Sequence, residues 1–304
     1  MFRCVVVPLD GSAFAEQAVQ PAAWIAQRSG GQLILLHVCV PANHFAGTVD
    51  VETEEAKTAA RHRLTKYMGD LANRVSGSIR LPVSFRVAEG NAVTGIVDAA
   101  ADLRADLVVM TSHGLGELAD AWIGSVADGV LRQSQVPVLL VRPRTNGADR
   151  EPRYQRILVP LDGSPTSEQA LAPAIKLAKL ANGAITLMAV VRLQPPMGEP
   201  EPLVAGADTA AAEFRCAEAY IAEVTARVNK EVRADGIVRV SLHPAMAILA
   251  VASELNADAI TMATHGRSRL QRMTIGSVSD KVLRASSTPV LVVRPEPEDE
   301  NPVA

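Results

Sequence analysis

Aromatic residues make up only 3% of the 304-residue chain, and cysteine occurs just three times. Cys4, Cys39 and Cys216 have neither metal-ligand spacing nor an even count, so the sequence predicts no zinc site and no disulfide framework. The hydrophobic fraction is nevertheless 48%. The core must therefore consist mainly of Val, Leu, Ile and Ala, a mixture typical of parallel strands covered by helices on both faces.

The sequence also lacks a long apolar run and a strong charge of either sign. No stretch of about 18 or more apolar residues is present, and the chain enters a strand-like segment directly after Phe2, which predicts neither a membrane span nor a signal peptide. The net charge of −3 argues against non-specific nucleic-acid binding. We therefore expect a cytoplasmic protein that has no membrane and no nucleic acid among its partners.

One sequence pattern occurs twice, at an offset of 152 residues. The segment Pro8–Ser12 reads PLDGS and recurs at Pro160–Ser164. The same offset relates His113 to His265, Gly124 to Gly276 and Pro137 to Pro289. An offset that holds over so many positions indicates two copies of one folding unit.

The repeat predicts two domains, at residues 1–143 and 154–295, joined by a polar linker at 144–153. Each is large enough to bury its own core. The last segment, 296–304, is acidic and rich in proline, and we expect it to be disordered.

Each copy contains five short apolar runs separated by stretches of helical periodicity, which predicts an α/β fold. In the first copy the runs are Cys4–Leu9, Leu33–Val40, Val83–Val87, Leu107–Met110 and Val138–Val141. In the second they are Ile157–Leu161, Ile185–Val191, Val238–Leu242, Ala259–Met262 and Val290–Val293. We expect a doubly wound, five-stranded parallel sheet flanked by helices in each copy, with ligands bound beyond the carboxyl ends of the strands.

Helical periodicity marks the segments between the runs. The first predicted helix extends from Ala15 to Ala26 and is ended by Gly30 and Gly31, and its counterpart ends at Asn182-Gly183. Further helices are predicted near residues 53–75, 93–103, 126–132 and 278–284. The helices predicted near 126–132 and 278–284 directly follow the motifs that carry most of the chemical information.

A glycine-serine motif lies between the fourth run and the next helix of each copy. Nine residues separate Gly114 from Gly124-Ser125, and nine residues likewise separate Gly266 from Gly276-Ser277. Amides exposed at a helix start, close to glycine, attract phosphate oxygens, so we expect these peptide hydrogens to face an anion. The alternative is structural, since Ser125 and Asp128 also match a capping box.

An aspartate follows the first apolar run of each copy. Asp10 and Asp162 would lie beside the switch crevice of a doubly wound sheet, where a carboxylate can accept hydrogen bonds from sugar hydroxyls. The structural alternative is an Asp-Gly turn that leads into a serine-capped helix. The sequence leaves both interpretations open.

Together these residues resemble the universal stress protein family, in its tandem form with two such domains in one chain. The resemblance covers the chain apart from linker and tail, and it implies an adenine nucleotide alpha hydrolase-like fold with strand order 3-2-1-4-5. In ATP-binding members the loop glycines and final serine hold phosphates, the aspartate holds ribose, and a backbone position ending the second strand meets adenine. The implied nucleotide-binding residues are Asp10, Val38, Met110, Gly114, Gly124 and Ser125, and Asp162, Val190, Met262, Gly266, Gly276 and Ser277.

The resemblance implies an ATP-binding stress-response protein that senses or stores nucleotide, with or without Mg²⁺, and hydrolyses it slowly at most. The sequence shows no set of base, metal carboxylate and charge-stabilising groups for rapid hydrolysis. One alternative is a scaffold that has lost nucleotide binding and acts through protein partners, and another is an adenylate-forming enzyme. The family further implies that the last strands pair the two domains within the chain, and a homodimer remains open.

Two departures from the family pattern concern the expected site. The first glycine of the GxxG element is replaced by Thr111 and by Ala263, which adds a side chain where close approach is needed. The loop of the first copy is acidic and that of the second carries three arginines, so we expect the second copy to bind phosphate more strongly. His113 is interpreted as a brace for the loop, and His37 as a packed strand residue.

Overall fold

A computed structural model describes residues 1–40, 54–79, 81–113, 123–143, 152–192, 203–264 and 275–295. The chain divides into two compact units, Met1–Pro152 and Arg153–Ala304, which are described separately. Most of the predicted linker and the whole predicted tail lie outside the described residues.

The first unit has the predicted α/β architecture. Its strands are β1 (Cys4–Pro8), β2 (Gln32–Cys39), β3 (Val83–Glu89), β4 (Leu107–Thr111) and β5 (Val138–Val141). Its helices are α1 (Ala13–Glu16), α2 (Val19–Ser29), α3 (Glu54–Ser78), α4 (Ala92–Asp102) and α5 (Ser125–Gln133). The strands lie in the order β3-β2-β1-β4-β5, and these neighbours pair in parallel, which confirms the predicted order 3-2-1-4-5.

The second unit repeats this arrangement. Its strands are β6 (Arg156–Leu161), β7 (Ala184–Arg192), β8 (Ala234–Ser241), β9 (Ala259–Ala263) and β10 (Val290–Val293). Its helices are α6 (Pro165–Glu168), α7 (Leu171–Ala181), α8 (Leu203–Val228), α9 (Pro244–Glu254) and α10 (Ser277–Ala285). Within the unit the order is β8-β7-β6-β9-β10, again with parallel neighbours.

The strand order determines where a ligand can enter. The chain moves outward from β1 to β3 and then crosses back to β4, so α4 and α5 cover the opposite face from α2 and α3. At the carboxyl ends of β1 and β4 the connections diverge to opposite faces and leave a crevice between them. The central strands β1 and β4 are buried along their whole length. The floor of the crevice is therefore formed by the ends of two buried strands.

The opposite, amino-terminal edge of each sheet is held by an aspartate. Asp106 Oδ2 accepts hydrogen bonds from the backbone amides of Arg3, at 2.8 Å, and Cys4, at 2.9 Å. In the second unit Asp258 Oδ2 binds the amides of Gln155 and Arg156, both at 2.9 Å. Each aspartate precedes the fourth strand of its unit and fixes the start of the first strand.

Two predicted element boundaries are wrong. The first helix is divided into α1 and α2 by a turn at Gln17 and Ala18. The strand predicted from Val238 begins at Ala234, because the side chain of Asn229 holds the Ala234 backbone through two hydrogen bonds of 2.7 and 2.9 Å. Among the described helices, none has the length and apolar character needed to cross a membrane.

Candidate functional site

The predicted adenine positions lie at the carboxyl edge of each sheet. β1 ends opposite Leu36 of β2, so Val38 extends beyond it and has no β1 neighbour. In the second unit β6 ends opposite Ala189, and Val190 extends beyond it in the same way. Both valines therefore present backbone towards the crevice side of the sheet.

Asp10 and Asp162 lie in tight turns at the same edge. Asp10 Oδ1 accepts a hydrogen bond from the amide of Ser12 at 2.9 Å, and the Ser12 hydroxyl caps α1 by accepting from Ala15 N at 3.0 Å. Asp162 Oδ1 binds the amide and the hydroxyl of Ser164, at 3.0 and 2.6 Å. The Asp-Gly turn with a serine cap is therefore present in both units. A carboxylate accepts up to about four hydrogen bonds, so the turn does not exhaust its capacity.

The helix α5 begins at the crevice, with Gly124 as its N-cap. The Gly124 amide donates to the carbonyl oxygen of Ser112 at 2.7 Å, and a Cβ on Gly124 would lie 3.2 Å from that oxygen. The chain itself consumes this peptide hydrogen, contrary to the expectation that it faces an anion. The next three amides, of Ser125, Val126 and Ala127, have no acceptor among the described residues, as expected for the first turn of a helix.

The start of α10 has the same geometry. The Gly276 amide donates to the carbonyl oxygen of Thr264 at 2.7 Å. Ser277 is the first helical residue, and no side chain caps the helix. In each unit, the first turn of a nine-residue helix therefore lies at the crevice with backbone amides that have no acceptor among the described residues.

The capping-box interpretation of this motif is wrong. Ser125 is the first residue of α5 and not its N-cap, and Asp128 is bound to Arg132 at 2.7 Å, a contact that recurs at 2.9 Å in α10. The hydroxyls of Ser125 and Ser277, both on exposed residues, make no hydrogen bond to any described residue. Each hydroxyl can therefore turn towards a ligand.

The other predicted site residues divide into two groups. Met110 and Met262 lie inside β4 and β9 with buried side chains, so only their backbone faces the crevice edge. Thr111 and Ala263 end the same strands and are also buried. Gly114 and Gly266 lie outside the described residues, as do the acidic and arginine-bearing loop segments.

The side chain of Thr111 is engaged by a hydrogen bond within its own segment. Its hydroxyl donates to the carbonyl oxygen of His113 at 2.7 Å, and the Ser112 hydroxyl lies 3.0 Å from His113 Nδ1. Burial, followed by the nearby charge of Arg142, lowers the pKa of His113. These contacts agree with a bracing role for His113.

His37, interpreted from the sequence as a packed strand residue, lies close to Asp10 of the candidate site. It lies on β2, one residue before Val38, and its electrostatic neighbours include the Asp10 carboxylate and the Leu9 backbone. Its Nδ1 is buried and has no hydrogen-bond partner among the described residues. The second unit has Ala189 at the equivalent position. The histidine is therefore not repeated, and this argued against a functional role for His37. Burial is the main cause of a lowered His37 pKa, and the Leu9 and Asp10 contacts oppose it.

The first unit is expected to lose stability as the pH falls from 7 to 5. Because burial lowers the pKa of His37, the unfolded chain binds a proton that the folded chain rejects. The stabilisation is complete above the unfolded pKa of about 6.5 and is lost as the pH falls below it. Urea unfolding of the wild type at both pH values should show this loss, and His37→Ala should reduce it. An equal reduction in the control variant His62→Ala, an exposed residue of α3, would contradict the assignment.

The sequence did not predict a hydrogen-bonded cluster beside each aspartate turn. Tyr67 of α3 donates to Glu16 Oε1 at 2.7 Å, and Arg74 pairs with the same carboxylate at 3.4 Å. Burial and the Glu16 contact raise the pKa of Tyr67, and the charge of Asp10 adds to this effect. The corresponding cluster of the second unit consists of Tyr220, Glu168 and Arg227. The cluster fixes the long helix against the short helix that follows the turn.

Comparison with known proteins identifies the same family in both units. A model of the universal stress protein family matches residues 1–142 and again residues 153–294. A universal stress protein of Mycolicibacterium smegmatis is 28% identical over 305 residues, covering 96% of this chain and 97% of its own. One of Mycobacterium tuberculosis strain H37Rv is 28% identical over 295 residues, covering 95% and 96%. Among solved structures, a universal stress protein from Archaeoglobus fulgidus gives a TM-score of 0.68 at 21% identity over 96% of each chain, a likeness of fold.

Proposed function

Because the chain belongs to the universal stress protein family, we propose that each of its two units binds an adenine nucleotide, with ATP as the ligand. The protein would sense or store the nucleotide in a stress response, with hydrolysis that is slow at most. The observation that carries this proposal is the duplicated helix start, where three amides and a serine hydroxyl lack partners among the described residues.

Phosphate oxygens suit this helix start for two reasons. The first-turn amides of α5 and α10 are oriented donors, and the positive end of the helix dipole favours an anion. The hydroxyls of Ser125 and Ser277 add one donor each. Gly124 and Gly276 serve a different purpose, since their own amides are used by the chain and their lack of a side chain keeps the approach open.

The sugar and base would occupy the neighbouring edge of the sheet. The carboxylates of Asp10 and Asp162 would accept hydrogen bonds from ribose hydroxyls while Oδ1 continues to hold the turn. The backbone of Val38 and Val190, beyond the ends of β1 and β6, would meet the adenine ring. Mg²⁺ would be carried mainly by the phosphates, since this ion usually keeps several waters and only one or two protein carboxylates.

Slow turnover follows from the groups at the site. Rapid phosphoryl transfer needs a positioned base and stabilisation of the leaving group. His113 is the described histidine nearest the helix start in sequence, but its Nδ1 is engaged by Ser112 and its Nε2 is buried. It is therefore poorly placed to move a proton to or from water.

Equilibrium dialysis with radiolabelled ATP, with and without Mg²⁺, tests the proposal. We expect two bound nucleotides per wild-type chain. Asp10→Asn and Asp162→Asn should each weaken one site about tenfold, because an amide oxygen accepts a sugar hydroxyl less strongly than a carboxylate, whereas it still holds the turn. Each substitution should leave the other site unchanged.

The controls Asp70→Asn and Asp235→Asn change exposed carboxylates away from the crevices and should bind ATP like the wild type. Absence of binding at millimolar ATP would reject the proposal and favour a scaffold that acts through protein partners. If chromatography of the reaction products shows that AMP and pyrophosphate are released, an adenylate-forming enzyme would be favoured instead.

A further inference from the structure

The second unit has a groove between α9 and α10 with a volume of about 500 Å³. Its apolar wall is formed by Leu242, Ala245, Met246 and Leu249. Leu242 is 48% exposed and Met246 is 62% exposed, although both are large apolar side chains. Pockets that bind small molecules have volumes of about 300 to 1,000 Å³ and mostly apolar walls with a few polar groups. The size and lining of the groove agree with that description.

Cationic side chains border the apolar wall. Arg192, the last residue of β7, and Lys281 of α10 both line the groove. Neither forms an ion pair with any described residue, whereas Arg284, which also lines it, is paired with Asp280 at 2.9 Å. No acidic residue belongs to the described lining. The groove therefore presents uncompensated positive charge beside an apolar surface.

The first unit has different residues at the equivalent positions. Val40 and Gly129 replace the two unpaired cations, and Gly90 replaces Leu242. Val93 packs so closely on Gly129 that a Cβ there would lie 2.6 Å from Val93 Cγ2. The valine-glycine pair thus fills the space between α4 and α5.

The second unit exchanges these sizes, with Ala245 for Val93 and Lys281 for Gly129. The small residue now lies on the first helix of the pair, and a long cation lies on the second. This exchange, together with Arg192 and Leu242, accounts for an amphipathic groove that the duplicated architecture alone does not require.

We propose that this groove binds a small amphipathic anion, an aliphatic carboxylate whose chain lies on Leu242, Met246 and Leu249 and whose head group meets Arg192 and Lys281. Burial of the aliphatic chain against these apolar side chains favours binding. The two cations supply the preference for negative charge. The site is separate from the proposed nucleotide contacts except at Ser277, which lines its rim.

Isothermal titration of the full chain with octanoate, octanol and octylammonium tests this assignment. We expect one octanoate site per chain with a dissociation constant below about 1 mM, and at least tenfold weaker binding of octylammonium. Octanol should fall between them. Equal affinity for the three probes, or no heat with octanoate at several millimolar, would overturn the proposal.

Variants that remove a cation or fill the groove locate the site. Arg192→Val and Lys281→Ala should each weaken octanoate binding about tenfold, and Ala245→Val should weaken all uncharged and anionic probes by filling the groove. Lys176→Ala removes an exposed cation from α7 and should change nothing. Circular dichroism confirms that each variant is folded, and wild-type affinity in both Arg192→Val and Lys281→Ala would refute the site.

Two further measurements separate this site from other occupants. Titration with octanoate in the presence of saturating ATP should still give one site of unchanged affinity, although Ser277 lines both sites. Competition between ATP and octanoate would make the groove part of the nucleotide site and overturn the proposal. Tighter octanoate binding by a chain that ends at Pro295 would assign the groove to the acidic end of this chain and overturn the proposal.

Discussion

Replacing Asp106 by alanine is expected to lower the free energy of unfolding of the first unit by about 3 kcal/mol. Its Oδ2 accepts the amides of Arg3 and Cys4, and a hydrogen bond to a charged group contributes about 1.5 to 3 kcal/mol. Two such bonds would contribute about 3 to 6 kcal/mol together, and partial exposure places their sum near the lower end, at about 3 kcal/mol. Asp106→Asn keeps an oxygen acceptor and should recover about half of the loss.

The two tryptophans make the measurement selective. Trp24 and Trp122 both belong to the first unit, so tryptophan fluorescence during urea unfolding reports on that unit, whereas circular dichroism reports on both. Asp106→Ala should shift the fluorescence midpoint, and Asp258→Ala should shift only the dichroism. A fluorescence midpoint that is unchanged in Asp106→Ala, or equally shifted in the alanine and asparagine variants, would contradict the assignment.

Nucleotide binding provides a further distinction. The aspartate clamps hold the amino-terminal edge of each sheet, whereas the candidate site lies at the carboxyl edge. Below the unfolding transition, Asp106→Ala should therefore bind ATP like the wild type. In this molecule the residues that hold the first strand and the residues proposed to hold a ligand lie at opposite ends of the same strand, so that stability and binding can be changed independently.

The sequence was sufficient to predict the fold because most strands coincide with short apolar runs that recur at an offset of 152 residues. The sequence did not predict two element boundaries, because local hydrogen bonds and turns there override the hydrophobic periodicity. The Ala15–Ala26 periodicity did not reveal the turn that separates α1 from α2. The start of β8 was missed because Asp235 and Gly236 are poor strand formers, and a side chain, Asn229, supplies the hydrogen bonds that secure it.

The candidate site was predictable only in part. Asp10 and Ser125 stand out because their motifs follow strands and recur in the second copy. The use of the Gly124 amide by Ser112 could not be read from spacing, since it depends on how the loop closes. His37 lacks a duplicate, and Tyr67 and Tyr220 are 153 residues apart, so a search at an offset of 152 passes over them.

The second large effect is expected for Gly31→Ala, which should lower the free energy of unfolding of the first unit by about 3 kcal/mol. A Cβ on Gly31 would lie 2.4 Å from the carbonyl oxygen of Arg3. That oxygen also accepts the amide of Gln32 at 2.8 Å, which is the first link between β1 and β2. Backbone cannot rotate away as a side chain can, so the clash must displace the strand start.

The chain contains its own control for this prediction. Gly30, one residue earlier, has a φ of +60°, and the second unit places Asn182 there with a φ of +47°. Asparagine tolerates this left-handed conformation, so Gly30→Asn should have little effect. At the next position both units keep glycine, and a Cβ on Gly183 would lie 2.6 Å from the Gln155 carbonyl oxygen. Equal fluorescence midpoints for Gly31→Ala and Gly30→Asn would show that close approach is not the reason for glycine at this position.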